Sequence, residues 1–134
     1  MKVKKISHIA VAGNDAEASR VLYEDILGLT FNGSEPVETE GVTTHFFGVG
    51  ESNIEMLEPL SEDSTVGKFL GKRGPGLHHI ALEVEGLDEY VLKLKSAGIV
   101  LLSDEPKIGA HNMRIIFIHP KSTGGVLVEL CEKV

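Results

Sequence analysis

Four side chains able to hold a divalent cation recur in this 134-residue chain as two matching pairs. His8 stands in Ser7-His8-Ile9-Ala10-Val11 and His79 in His78-His79-Ile80-Ala81-Leu82. Glu55 stands in Asn53-Ile54-Glu55-Met56-Leu57-Glu58 and Glu129 in Leu127-Val128-Glu129-Leu130-Cys131-Glu132. The histidines are 71 residues apart and the glutamates 74, and Leu27-Gly28-Leu29 returns as Ala97-Gly98-Ile99 after 70. The chain is therefore an approximate duplication with small insertions. Two halves paired about a pseudo-twofold axis would surround one point with two imidazoles and two carboxylates. Converging carboxylates repel and are costly to bury, whereas one divalent cation with two neutral imidazoles and two carboxylates makes a locally neutral site.

Each half reads as strand, helix and three strands. Residues 5–12 alternate as a strand, Asn14-x-x-Glu17 suggests a capping box, and Ala18, Val21, Leu22 and Ile26 recur at helical spacing before Gly28. Strands are expected over 28–33, 42–49 and 52–59. The second half repeats the order with a strand at 78–85 and a helix at 87–97, then strands near 99–102, 112–119 and 125–132. Leu87, Tyr90, Val91 and Leu94 share one face of that helix. The polar stretch 103–111 is expected to be a loop, and 61–74 a linker with a helical piece near 65–70. Strand parity sets Ile9, Val11, Ile80 and Leu82 toward the helices, and His8, His79, Glu55 and Glu129 toward the opposite, concave side. The expected fold is α+β: two tandem βαβββ modules, about 3–60 and 75–133, forming one domain whose curved mixed sheet surrounds a metal cleft.

Composition narrows the partners. The net charge of −7 argues against general nucleic-acid binding, which needs a basic face. No apolar run approaches a membrane span and no signal-peptide pattern opens the chain, so the cytoplasm is the expected location. Cys131 is the only cysteine, which rules out an internal disulfide and a zinc thiolate cluster.

The other histidines separate by position. His78 has the parity of Ile80 and reads as structural, His45 alternates away from Thr44 and so lies outside the cleft, and His119 precedes Pro120 at a strand end. His111 lies in the long loop of the second half, where a substrate-facing and a solvated role are both open. Glu58 and Glu132 read as outward charges at strand ends. Lys68, Lys72, Arg73, Lys107, Arg114 and Lys121 are the cations available to phosphate or carboxylate groups.

The chain resembles the vicinal oxygen chelate superfamily, and within it the methylmalonyl-CoA epimerase family. The resemblance rests on Ser7-His8-Ile9-Ala10-Val11, Ile54-Glu55-Met56-Leu57-Glu58-Pro59-Leu60 and Gly76-Leu77-His78-His79-Ile80-Ala81. More specific are the stretch from Asp104 to His111 and the stretch from His119 to Leu130. It implies inversion at C2 of methylmalonyl-CoA, with His8, Glu55, His79 and Glu129 as ligands of one divalent ion and Glu129 doubling as an acid/base. The metal is expected to be cobalt or manganese, with nickel, zinc or iron as alternatives, and the assembly a homodimer. Some family members carry Gln at the position of Glu55, and some carry a second catalytic Glu where this chain has Thr44. A hydroxyl is no general base at neutral pH, so symmetry nominates Glu55 as the partner of Glu129 in moving the proton. Lys107, His111, Lys121 and Ser122, in the family-specific loops, are expected to bind the acyl or CoA end. The rival readings are a glyoxalase I type lactoylglutathione lyase, an extradiol dioxygenase, disfavoured because it uses only three protein ligands, and a non-catalytic ligand-binding module of the same fold.

Overall fold

The computed structural model describes residues 1–134. Eight strands are ordered β2-β3-β4-β1 in the first half of the chain and β5-β8-β7-β6 in the second. They are β1 (Lys2–Ala12), β2 (Thr30–Val37), β3 (Val42–Val49), β4 (Ser52–Pro59), β5 (Gly76–Glu85), β6 (Lys107–Ile108), β7 (Arg114–Ile118) and β8 (Val128–Glu132). Three helices, α1 (Ala16–Arg20), α2 (Thr65–Arg73) and α3 (Leu87–Ser96), lie between them. The chain divides into two compact units, one of residues 8–78 and one of residues 1–7 with 79–134. β1 thus begins in one unit and ends in the other. Lys4, early in β1, pairs with Glu83 of β5 at 3.4 Å.

In the unit of residues 8–78, β1 pairs in parallel with β4, which pairs antiparallel with β3, which pairs antiparallel with β2. Asp15 rather than Asn14 caps α1, its carboxylate accepting from the Ala18 N–H at 2.9 Å. α1 then widens into a π-helical stretch, Val21–Ile26, in which the Leu27 N–H reaches the Leu22 carbonyl. The apolar face expected from spacing is consequently the outer one. Val21 and Leu22 are each 45% exposed and Ile26 69%, while Tyr23 turns in to stack on Phe47. α2 runs longer than the sequence suggested, capped by Ser64, whose hydroxyl accepts from Gly67 N–H.

In the other unit, β5 pairs in parallel with β8, and β7 lies antiparallel between β8 and β6. α3 buries Leu87 and Val91 against Val84, Ile116, Ile118 and Leu130, with Leu82, Tyr90 and Leu94 packed alongside, as its spacing predicts. Glu132 fastens its first turn by accepting from the Gly86 N–H at 2.6 Å and from the Leu87 N–H. It is therefore a capping group rather than a solvated strand-end charge. The strand expected at 99–102 shrinks to a single bridge, Leu101 to Ile118. Conversely, β6 forms inside the stretch expected to be loop, because Lys107 and Ile108 find partners in Ile115 and Arg114.

Candidate metal and proton-transfer site

The parity argument holds for the chemistry-bearing residues, with one change. In β1, His8, Ala10 and Ala12 are buried while Ile9 is 40% exposed, so the histidine side of that strand is the better buried one. In β5 the alternation serves both faces, His79 and Ala81 on one and Leu82 and Val84, packed near α3, on the other.

Register then builds the same local pattern twice. Glu55 lies between Phe46 of β3 and Ala10 of β1. Glu129 lies between Phe117 of β7 and Ala81 of β5. Residues opposite one another across strands share a face, so each carboxylate has a buried ring on one side and a methyl on the other. The histidine two residues before each alanine completes the group. His8 Nδ1 is 3.1 Å from Glu55 Oε2, and His79 Nε2 is 3.5 Å from Glu129 Oε1. All four residues are buried.

Burial pushes the His79 imidazole down to a pKa of about 4, which keeps it neutral at pH 7 and free to donate a lone pair. Phe117 meets the His79 ring edge-on. His8 and Glu55 form a pair in one unit and His79 and Glu129 in the other, each bringing an imidazole nitrogen close to a carboxylate oxygen. A buried set of imidazole nitrogens and carboxylate oxygens suits a borderline or hard divalent ion.

The remaining residues singled out by the sequence sort differently. His78 stacks on Phe69 of α2 and is structural. His45 is on the face away from Glu55, where its Nδ1 is 2.6 Å from Ser34 Oγ and its Nε2 3.3 Å from Glu58 Oε1, so Glu58 is a partner and not simply an outward charge. His119 Nδ1 accepts from the Lys121 N–H and shapes the turn at Pro120–Ser122. Ser122 Oγ accepts from the Val100 N–H. Arg114 is committed to Asp88 at 2.6 Å and to Glu132 at 3.5 Å. Lys107, His111 and Lys121 are exposed. His111 and Asn112 both adopt left-handed backbone, with φ of 55° and 56°. Phe117 and Glu83 stand outside the repeated motifs. Glu83 could have been found as an acidic residue at the parity of His79; it is 5% exposed and meets Lys4.

The chain is similar to known proteins in sequence and in fold. The sequence pattern of the Glyoxalase/Bleomycin resistance protein/Dioxygenase superfamily matches residues 7–117. The chain is 42% identical to the mitochondrial methylmalonyl-CoA epimerase of Homo sapiens over 94% of its own length and 72% of that protein's. It is 41% identical to the ethylmalonyl-CoA/methylmalonyl-CoA epimerase of Cereibacter sphaeroides, over 96% and 97% of the two chains. A crystal structure of methylmalonyl-CoA epimerase from Mycobacterium tuberculosis superposes with a TM-score of 0.93 at 36% identity, covering 98% of this chain and 89% of that one. A methylmalonyl-CoA epimerase in complex with methylmalonyl-CoA and NH4+ superposes with a TM-score of 0.94 at 35% identity, covering 99% and 96%. With this fold and both His–Glu pairs in place, the chain belongs to the Glyoxalase/Bleomycin resistance protein/Dioxygenase superfamily and, within it, to the methylmalonyl-CoA epimerase family.

Proposed function

We propose that this protein is a methylmalonyl-CoA epimerase, inverting C2 of methylmalonyl-CoA by proton transfer through a planar enolate, and that its two units work as one domain. The observation that carries the reading is the duplicated His–Glu arrangement, at 3.1 Å in one half and 3.5 Å in the other, on a chain 41% identical to an ethylmalonyl-CoA/methylmalonyl-CoA epimerase. His8, Glu55, His79 and Glu129 would hold one divalent ion, cobalt or manganese by the family resemblance. When bound, such an ion acts as a Lewis acid that lowers the cost of negative charge on the thioester oxygen.

The residues do the rest. The C2 proton is a weak acid, and a positioned carboxylate typically accelerates its transfer about 100-fold to 10,000-fold. Glu129 is the proton carrier on one side of the enolate. Symmetry alone would assign the other side to Glu55. Phe46 and Phe117, each opposite one of these carboxylates, exclude water from around them. Lys107 and Lys121 are exposed cations suited to the acyl carboxylate or CoA phosphates, and His111 sits on the same loop as Lys107.

A homodimer is the proposed assembly, supported by the exposed apolar ridge of Val21, Leu22, Ile26 and Leu27. The cytoplasm is the proposed location; no helix is long and apolar enough to cross a membrane.

The test is deuterium exchange at C2 of each methylmalonyl-CoA epimer in heavy water, before and after chelation. Exchange with inversion that chelation abolishes and added cobalt or manganese restores is expected. Turnover of the glutathione hemithioacetal of methylglyoxal instead would replace this reading with the lyase.

A further inference from the structure

The duplication supplies one carboxylate per half, and strand β2 adds another. Phe31 pairs with Phe47, but three residues later Ser34 pairs with His45, only two residues back along β3. One extra residue is therefore accommodated at a bulge between Phe31 and Ser34, where Gly33 takes a φ of 95°. Regular alternation from Phe31 would put Glu35 on the side where Phe31 and Tyr23 stack on Phe47. The bulge reverses the parity. Glu35 instead lies opposite Thr44, on the same face as Phe46 and Glu55.

A clasp on the other face holds that shifted register. Ser34, the first residue after the bulge, reaches His45 of β3, and His45 reaches Glu58 of β4. Three strands are thereby tied together directly behind Thr44 and Phe46. The second half has no equivalent. At the offset of 70 residues that relates the neighbouring Leu27-Gly28-Leu29 to Ala97-Gly98-Ile99, Glu35 corresponds to Glu105, which lies outside the two-residue β6 and has no strand pairing like that of Glu35 with Thr44.

From this geometry we infer that Glu35 is a third carboxylate of the site and the proton carrier on the enolate face opposite Glu129, leaving Glu55 to hold the ion. The inference rests on the epimerase reading above. Inversion needs two proton carriers on opposite faces, and Glu35 shares the sheet face of Glu55 without belonging to the proposed ligand set, so it can serve as the second carrier while Glu55 holds the ion. Glu55 is drawn toward His8, whereas Glu35 is only half-buried, so water can return it to its starting protonation state between turnovers. In the step itself the Glu35 carboxylate takes the C2 proton, and the C–H electron pair moves into the thioester enolate. Glu129, carrying a proton, delivers it to C2 from the other side; the reverse epimerisation exchanges the two roles.

The experiment compares wild-type, Glu35→Gln and Glu35→Asp proteins, loaded with cobalt, for metal content, thermal unfolding, epimerisation and exchange of each epimer in heavy water. Glu35→Gln should bind the ion and unfold like wild type while epimerising at least about 100-fold more slowly. It should still exchange the epimer deprotonated by Glu129 and lose exchange of the other, and Glu35→Asp should recover part of the rate. Epimerisation within about threefold of wild type, or equal loss of both exchanges, would overturn the role of Glu35. Wild-type protein that exchanged neither epimer would instead sink the epimerase reading.

Discussion

Phe117 presents its ring perpendicular to that of His79, with centroids 5.2 Å apart and planes at 89°, while its backbone pairs with Glu129. One side chain thus buttresses an imidazole and flanks a carboxylate of the same pair. Groups around a metal ligand that fix its orientation affect metal affinity, by about 10-fold to 100-fold where they hydrogen-bond it, and a ring contact is expected to act at the low end of that range. Phe117→Leu should weaken cobalt binding by about tenfold in a competition with a chelator. Phe117→Ala should in addition cost about 3 kcal/mol of stability in urea unfolding.

His111 holds a φ of 55°, a conformation costly for a side chain with a Cβ and one found where a loop is shaped for function. Gly adopts it without strain, partly offset by its larger entropy in the unfolded chain. His111→Gly is expected to raise stability by up to about 1 kcal/mol and to raise KM for methylmalonyl-CoA. A stabilised variant with unchanged KM would remove His111 from substrate binding.

Lys121 and Ser122 are neighbours with different duties. The Ser122 hydroxyl is occupied by the Val100 N–H, whereas the Lys121 side chain is exposed. Ser122→Ala should cost about 1 kcal/mol of stability and leave KM unchanged. Lys121→Ala should leave stability unchanged and raise KM more than it lowers kcat. Steady-state kinetics with thermal unfolding separates the two.

The Arg114 guanidinium, donating to Asp88, holds that carboxyl below its ordinary value of 3.8. A folded-state pKa below the unfolded one means that the pair's contribution is present above the unfolded value and is lost as pH falls through the folded one. Asp88→Asn should therefore be less stable than wild type at about pH 7 and indistinguishable from it at about pH 2, where both forms lack the charge. Urea midpoints at the two pH values test this. The effect should be small because Asp88 is fully exposed.

Ile26 is 69% exposed on a ridge with Val21, Leu22 and Leu27. If that ridge joins two copies, Ile26→Glu should convert the homodimer to monomer in sedimentation while leaving metal content intact. An unchanged sedimentation coefficient would move the interface elsewhere.

Much of the candidate site is legible in the sequence because a duplication prints its pattern twice. His8 with His79, and Glu55 with Glu129, stand at equivalent points of period-two segments, and parity carries their direction without any knowledge of partners. The apolar spacing of Leu87, Tyr90, Val91 and Leu94 likewise foretold the face of α3 that packs. Elements whose periodicity is regular and repeated are readable one strand or helix at a time.

What the tertiary structure decided lies where an extra residue or a distant partner intervenes. Ala18, Val21, Leu22 and Ile26 have helical spacing, but widening into a π-helical stretch leaves that face outside and brings in Tyr23. Residues 99–102 have strand composition, yet only Leu101 finds a bridge partner, and β6 forms instead within the expected loop. Glu132 caps a helix 45 residues away, and the Ser122 hydroxyl serves Val100, contacts that no local pattern encodes. Glu35 is the sharpest case. Its face depends on one bulged residue in β2 and on the register of β3, and alternation counted along the sequence assigns it to the opposite side. Pairing between strands is a long-range choice made by the packing of both faces, so the sequence by itself determined which residues could do the chemistry, and the folded sheet decided which of them share a face.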